Sequence, residues 1–99
     1  MHRGTTPTHK FTFDFPKENI GSIYITYMQN KQVRFEKSKD DITFEDGTVS
    51  VKLTQEETLK FTVTGDVEIQ IRFTDTSDNA YASNIVQVPV GRILKEGVI

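Results

Sequence analysis

The sequence contains no cysteine and no tryptophan, and its 99 residues include three prolines and two histidines. The lack of cysteine excludes disulfides and thiolate metal sites. No stretch approaches the ~20 apolar residues that a membrane-spanning helix needs. Twelve basic and 14 acidic residues give a formal net charge of −2, without the basic excess typical of nucleic-acid-binding proteins. These absences predict a small single domain that binds neither nucleic acid nor membrane.

The two ends of the chain differ in composition. Residues 1–8 are small and polar, with no apolar stretch after their positive charge, so we expect a flexible lead-in and no signal peptide. Residues 91–99 instead carry large aliphatic side chains, which disordered tails avoid. The sequence therefore divides into a lead-in at 1–8, one domain at 9–90 and an apolar tail at 91–99.

Polar and apolar residues alternate along most of the chain, which is the pattern of half-buried β-strands. Residues 10–15 place Phe11, Phe13 and Phe15 on one face, and residues 67–73 show the most regular alternation. The same pattern predicts five further strands, at residues 23–28, 33–37, 42–45, 48–53 and about 82–90.

Turn and cap residues separate the predicted strands. Asn30 is the residue best able to adopt positive φ between the second and third strands. Asp46-Gly47 lies between two alternating runs, which predicts a tight hairpin. Thr54 and Glu57 have the spacing of a capping box, so one short helical crossing is expected near residues 55–60.

Seven short strands, frequent turns and one helical crossing before the penultimate strand predict an all-β fold, an immunoglobulin-like β-sandwich. An open barrel is the alternative. In the last strand Val86, Val88 and Val90 are expected to face inward. Ile85 interrupts the polar face of that strand, which indicates a bulge or a second buried contact.

The sequence contains no motif that predicts catalysis or metal binding. His2 and His9 are expected in the mobile N-terminal segment, where nothing holds them against other ligands. The acidic clusters fall in predicted turns, where such residues favour turn geometry. Residues 75–79 offer oxygen ligands that suit calcium, but the turn interpretation is preferred. We therefore predict no enzyme activity, no metal, no cofactor and no small-molecule substrate.

Two features remain as candidates for function. The outward face of the second strand carries Tyr24 and Met28, residue types that are enriched at protein interfaces. The other interpretation is that the fold itself covers both faces of this strand. The tail either adds a strand to the sheet, docks on a neighbouring subunit or links this domain to a longer protein. Its apolar side chains complete the predicted protein-contact site: Ile93, Leu94, Val98 and Ile99.

Residues 51–61, V-K-L-T-Q-E-E-T-L-K-F, and 65–75, G-D-V-E-I-Q-I-R-F-T-D, resemble small immunoglobulin-like modules of bacteriophages. Such modules occur in tail and baseplate proteins and in prophages of Gram-positive bacteria. In their pattern a strand ends in L-T-x-E-x-T, crosses over and re-enters through Gly into a strand that ends in Thr-Asp. Residues 3–11 similarly resemble the start of short prophage structural proteins. This chain departs from the pattern at Asp66-Val67, where an aromatic residue is frequent, so no tyrosine-corner hydrogen bond is expected there.

The resemblance implies a non-enzymatic structural or assembly module that contacts protein partners or a second copy of itself. It also implies synthesis in the bacterial cytoplasm and a place in a virion. The alternative function is a carbohydrate- or cell-surface-binding module in which Tyr24 or Tyr81 stacks on a sugar. The lack of tryptophan, the strongest stacking side chain, counts against this alternative.

Overall fold

A computed structural model describes residues 1–45 and 47–99 of the chain. Within these ranges, β-strands account for most of the regular structure. The strands pair in two antiparallel sheets, with the orders β1-β5-β4 and β3-β2-β6-β7, and β8 also pairs with β6. The strands and the α-helix are β1 (Thr8–Thr12), β2 (Ile20–Gln29), β3 (Gln32–Ser38), β4 (Ile42–Glu45), β5 (Thr48–Lys52), α1 (Gln55–Thr58), β6 (Val67–Asp75), β7 (Ala80–Ala82) and β8 (Val86–Val88), and short 3₁₀ helices cover Lys17–Asn19 and Lys39–Asp41.

This strand order is that of an immunoglobulin-like sandwich. When β1 is taken as strand B of that fold, the first sheet has the order B-E-D and the second has the order C′-C-F-G. Strand G is divided between β7 and β8, and α1 lies in the crossing from E to F. The predicted sandwich and its helical crossing are therefore confirmed, and the open barrel is excluded.

The hydrophobic core lies between β5 of the first sheet and the inner faces of β2 and β6. Successive side chains of a strand point to opposite faces, so every second residue is buried from Ile23 to Gln29 in β2 and from Val67 to Ile71 in β6. Phe11, Phe13 and Phe15, predicted to share one face, are half-buried against this core. The buried apolar residues are Ile20, Ile23, Ile25, Tyr27, Val49, Val51, Leu53, Phe61, Val67, Ile69 and Ile71.

The predicted turns and cap are present where the structure describes them. Asn30 and Lys31 have φ angles of 53° and 65°, which is the backbone of a type I′ hairpin turn. The β4–β5 hairpin is also confirmed, although Asp46 of its predicted turn lies outside the described residues. At the start of α1, Thr54 Oγ1 accepts from the Glu57 N–H at 3.2 Å, and Glu57 Oε1 accepts from the Thr54 N–H at 2.9 Å.

The single strand predicted at residues 82–90 is instead divided into β7 and β8. The Ser83 N–H donates to the Ile71 carbonyl at 2.8 Å, while the Ile71 N–H donates to Ser83 Oγ at 3.0 Å. Because a side-chain oxygen takes the place of a backbone carbonyl, regular pairing stops at this residue and resumes at Val86. Val86 pairs with the buried Ile69, so its side chain lies on the inner side of the sheet as predicted, although it is 44% exposed. Val88 and Val90 do pack against the core, partly buried.

The start of the chain lies beside the segment that follows β8. Met1 donates from its ammonium to the Pro89 carbonyl at 2.9 Å, and the Gly91 N–H donates to the Met1 carbonyl at 2.7 Å. A parallel bridge joins His2 to Gly91. The division of the chain at residues 8 and 90 stays a prediction, to which the structure adds these contacts. No helix in the described ranges has the length and apolar character required to cross a membrane.

A buried amide holds the loop between α1 and β6. Gln29, at the end of β2, is fully buried. Its Nε2 donates to the carbonyls of Thr62 and Gly65 at 2.7 and 2.8 Å, and its Oε1 accepts from the Thr62 N–H at 2.8 Å. All the polar atoms of this side chain therefore have partners, which is what makes its burial tolerable.

We expect the substitution Gln29→Ala to lower the free energy of unfolding by about 3 kcal/mol, because it removes three hydrogen bonds and leaves loop backbone groups without partners. Chemical denaturation measures this loss. Gln32→Ala is the matched control, because Gln32 is exposed in the same hairpin, and its cost is expected to stay within about 0.5 kcal/mol. Equal losses in the two variants would contradict the role of the buried amide.

Candidate functional site

The first candidate surface is the outward side of β2 and β6, which we call the outer face: Tyr24, Thr26, Met28, Glu68, Gln70 and Arg72. The pairing of the two strands places these residues in three rows, Tyr24 opposite Arg72, Thr26 opposite Gln70 and Met28 opposite Glu68. Tyr24 is 48% exposed, whereas Met28 is half-buried. The interpretation that the fold covers both faces of β2 is therefore wrong for Tyr24.

Two shallow depressions mark the outer face. The larger, of about 300 Å³, lies beside Tyr24 and extends to Glu36 and Arg72. The smaller, of about 100 Å³, lies between Met28 and Ile85. Ile85 is exposed at the break between β7 and β8, so it enlarges the apolar part of this surface rather than making a second buried contact. The mixture of Tyr, Met and Arg is typical of protein interfaces.

The second candidate surface is the tail, residues 91–99. Arg3, in the N-terminal segment, makes the first of two contacts that hold it in place. The guanidinium of Arg3 donates from Nη1 to both carboxylate oxygens of Glu96, at 2.7 and 2.9 Å. Its Nε donates to the Phe61 carbonyl at 2.6 Å, and its Nη2 donates to the Leu59 carbonyl at 3.2 Å. One side chain thus joins the N-terminal segment, the chain after α1 and the tail.

The second contact that holds the tail is made by Gln55, the first residue of α1. The Ile99 N–H donates to Gln55 Oε1 at 2.9 Å, and Gln55 Nε2 donates to the Ile99 carbonyl at 3.3 Å. Apart from the bridge at Gly91, no described residue of the tail pairs in a strand. The alternative in which the tail adds a strand to its own sheet is therefore wrong.

Three of the four predicted contact side chains of the tail point into solvent. Leu94 is 89% exposed, Ile99 is 86% exposed and Val98 is 55% exposed. Ile93 is half-buried and packs beside Gly4, where an added Cβ would lie 3.0 Å from Ile93 Cδ1. Polar contacts and Ile93 therefore hold the tail, while Leu94, Val98 and Ile99 stay uncovered.

The sequence analysis missed a hydrogen bond between the two sheets. His9 Nδ1 lies 2.7 Å from the Tyr27 hydroxyl, with the rings stacked at 5.7 Å between centroids. The prediction that nothing holds His9 is wrong, because His9 occupies a position of β1 that points inward. The spacing of two from Phe11 and four from Phe13 was the available signal, since it places all three side chains on one face.

A largely buried ion pair was also missed. Lys37 of β3 donates to Glu57 Oε2 at 2.5 Å, and Lys37 is only 9% exposed. Burial raises the pKa of the Glu57 carboxyl, but hydrogen bonds from Lys37 and from the Thr54 N–H outweigh it, so this pKa lies below its ordinary value. Glu57 therefore serves both as the cap of α1 and as the partner of a strand lysine.

Residues 75–79 form a turn, which is the interpretation that the sequence analysis preferred over a calcium site. Asp75 Oδ1 accepts from the N–H groups of Ser77 and Asn79, each at 2.9 Å, and Oδ2 accepts from the Asn79 amide and the Tyr81 hydroxyl. The hydrogen bonds from Asn79 are the main reason that the pKa of Asp75 is lowered. Within residues 1–45 and 47–99 there is no group of three or more His, Asp or Glu side chains placed to hold a metal ion.

Comparison of the chain with protein-family models and with curated proteins gave no match. Among solved structures, the chain is similar to the V domain of amphioxus IgVJ-C2, with 11% sequence identity and a TM-score of 0.38. The similarity covers 90% of this chain and 95% of that chain. The strand order within the two sheets defines this protein as an immunoglobulin-like β-sandwich.

We expect Arg3→Gln to free the tail, because the Glu96 carboxylate and two carbonyls lose their shared donor. Hydrogen exchange followed by mass spectrometry should then be faster in a peptide covering residues 93–99. Arg92→Gln is the matched control, because Arg92 is an exposed arginine at the start of the same tail. Unchanged exchange in Arg3→Gln, or equal acceleration in both variants, would contradict the arrangement described here.

Proposed function

We propose that this chain is a non-enzymatic structural or assembly module of a phage or prophage, and that it acts through protein–protein contacts. The observation that carries the proposal is the outer face, where Tyr24 and Arg72 are neighbours across two paired strands. Tyrosine and arginine are among the residues that contribute most binding energy at protein interfaces. Both stand on the central strands of a sheet, which hold contact residues rigidly.

The tail supports the same function by its chemistry. Leu94, Val98 and Ile99 present apolar surface to solvent, which gains free energy when a partner covers it. Arg3 holds the Glu96 side chain and Gln55 holds the backbone of Ile99, so less conformational entropy is lost when a partner binds. The outer face and the tail are thus two separate contact elements of one module.

The phage origin is supported by the resemblance at residues 51–61 and 65–75. These residues form the end of β5, α1 and β6, together with the capping box that starts the crossing. On this proposal the protein is made in the bacterial cytoplasm and becomes part of a virion. Genes for tail, tape-measure or lysis proteins are expected beside its gene, and a neighbourhood of metabolic genes alone would contradict a phage origin.

The simplest form of the proposal is contact between copies of this chain. Sedimentation velocity at increasing concentration should show association that Tyr24→Ser with Met28→Ser weakens at least tenfold. Val63→Ser is the matched control, because Val63 is exposed in the loop before β6. Leu94→Ser with Ile99→Ser tests the tail while leaving its backbone contacts in place. A monomer at every concentration would overturn self-association as the mode of contact.

A second candidate function is carbohydrate or cell-surface binding, which the depression beside Tyr24 favours. An aromatic ring next to Glu36 and Arg72 combines a stacking surface with hydrogen-bonding groups. Tyr81 does not share this site, because it stacks on Phe73 at 4.9 Å on the inner side of the sheet. A glycan array should then show binding that Tyr24→Ala abolishes, and an array without any binder would dismiss this candidate.

A further inference from the structure

The hydrogen bond between His9 and Tyr27 has a special position in the sandwich. His9 belongs to β1 of the first sheet, and Tyr27 belongs to β2 of the second. Among the described residues it is the one side-chain hydrogen bond that joins a strand of one sheet to a strand of the other. Tyr27 is fully buried, and its ring also stacks on Phe35 at 4.7 Å. The sheets therefore share a polar contact that lies inside their core.

The direction of this hydrogen bond follows from the two side chains. Burial and the negative charge of Glu57 raise the pKa of the Tyr27 hydroxyl well above its ordinary value, so tyrosine keeps its proton and donates. Among the described residues His9 Nδ1 is the one hydrogen-bond partner of this hydroxyl, so the Tyr27 proton has an acceptor when the imidazole is neutral with its own proton on Nε2. An imidazolium can only donate from Nδ1 to the hydroxyl oxygen, which leaves the Tyr27 proton without an acceptor in the core.

The charged groups around His9 do not favour a second proton on its ring. Tyr27 faces it from β2, and the ammonium of Met1 acts on it from the N-terminal segment. On β5 its paired residue is the apolar Val51. The carboxylate that acts on Tyr27, Glu57 of α1, is already bonded to Lys37. Burial, and then the positive N-terminus, lower the pKa of His9 below its ordinary value of 6.5.

The geometry points to an acid-sensitive latch: protonation of His9 reverses its hydrogen bond with Tyr27, leaves the Tyr27 proton without an acceptor and loosens β1 from the second sheet. The sandwich is closed while His9 is neutral, and mildly acidic conditions loosen β1 together with the segment that precedes it. This release also affects the tail, because Arg3 and Met1 of that segment bond to Glu96 and Gly91.

The pH range of the latch follows from linkage. A histidine whose pKa is lowered in the folded state contributes its full stability above the unfolded value of about 6.5. That stability is lost as the pH falls from about 6.5 to the lowered value of the folded protein. Glu57 has a lowered pKa as a carboxylate, so its contribution is lost only below about pH 4.5. The interval from pH 7.5 to 5.0 therefore separates the contribution of His9 from that of Glu57.

The test measures urea unfolding between pH 7.5 and 5.0. For the natural sequence we expect the folding equilibrium constant to fall by up to about tenfold per pH unit below pH 6.5. His9→Gln should remove this slope, because glutamine cannot take up a proton in this range. His2→Gln removes the exposed histidine of the same chain and should keep the slope. If the stability of His9→Gln depended on pH as steeply as that of the natural sequence, the proposal would be overturned.

Two measurements on the natural sequence keep the proposal testable if His9→Gln does not fold. An NMR titration should give a midpoint for His9 below 6.5, and a midpoint at or above 6.5 would overturn the proposal. Hydrogen exchange at pH 5.5, corrected for its intrinsic pH dependence, should show loss of protection in β1 before β2 and β6. Equal loss in both sheets would overturn the release of β1.

Discussion

Packing of β2 and β6 against β5 is the interaction on which the rest of the molecule depends. With no cysteine in the chain, no disulfide joins the sheets, and the inward residues of these three strands hold them together. Tyr27 stands at the centre of this contact, stacked on Phe35 and hydrogen-bonded to His9. The same alternation that buries Tyr27 sends Tyr24 and Met28 outward, so the outer face exists because the core is formed.

The sequence predicts those features that depend on neighbours along the chain. Alternation locates the strands, and the spacing of Thr54 and Glu57 locates α1 because both halves of a capping box lie within four residues. The break at Ser83 could not be predicted in this way. It depends on the hydroxyl of Ser83 meeting the N–H of Ile71, and that meeting requires β6 and the last strand to be already paired.

The candidate site was predictable to a similar degree. Residue type and strand parity identify Tyr24 and Met28 as outward, and composition marks the tail as apolar. The polar contacts that position the tail escape such reasoning, because Arg3 and Glu96 are 93 residues apart and neither shows a local motif. For His9 the sequence allows half of the prediction. Its spacing from Phe11 shows that it points inward, but its partner Tyr27 cannot be predicted because it belongs to the other sheet.

The contact between Gln55 and Ile99 has a consequence for variation in this protein. The amide of Gln55 bonds to the backbone N–H and carbonyl of residue 99 and makes no demand on its side chain. Any residue with a backbone N–H fits this contact, and proline alone does not. The side chain at residue 99 can therefore vary without loss of the contact with Gln55. Such variation would change the partner surface that the tail fits, while the backbone of the tail keeps its position on the domain.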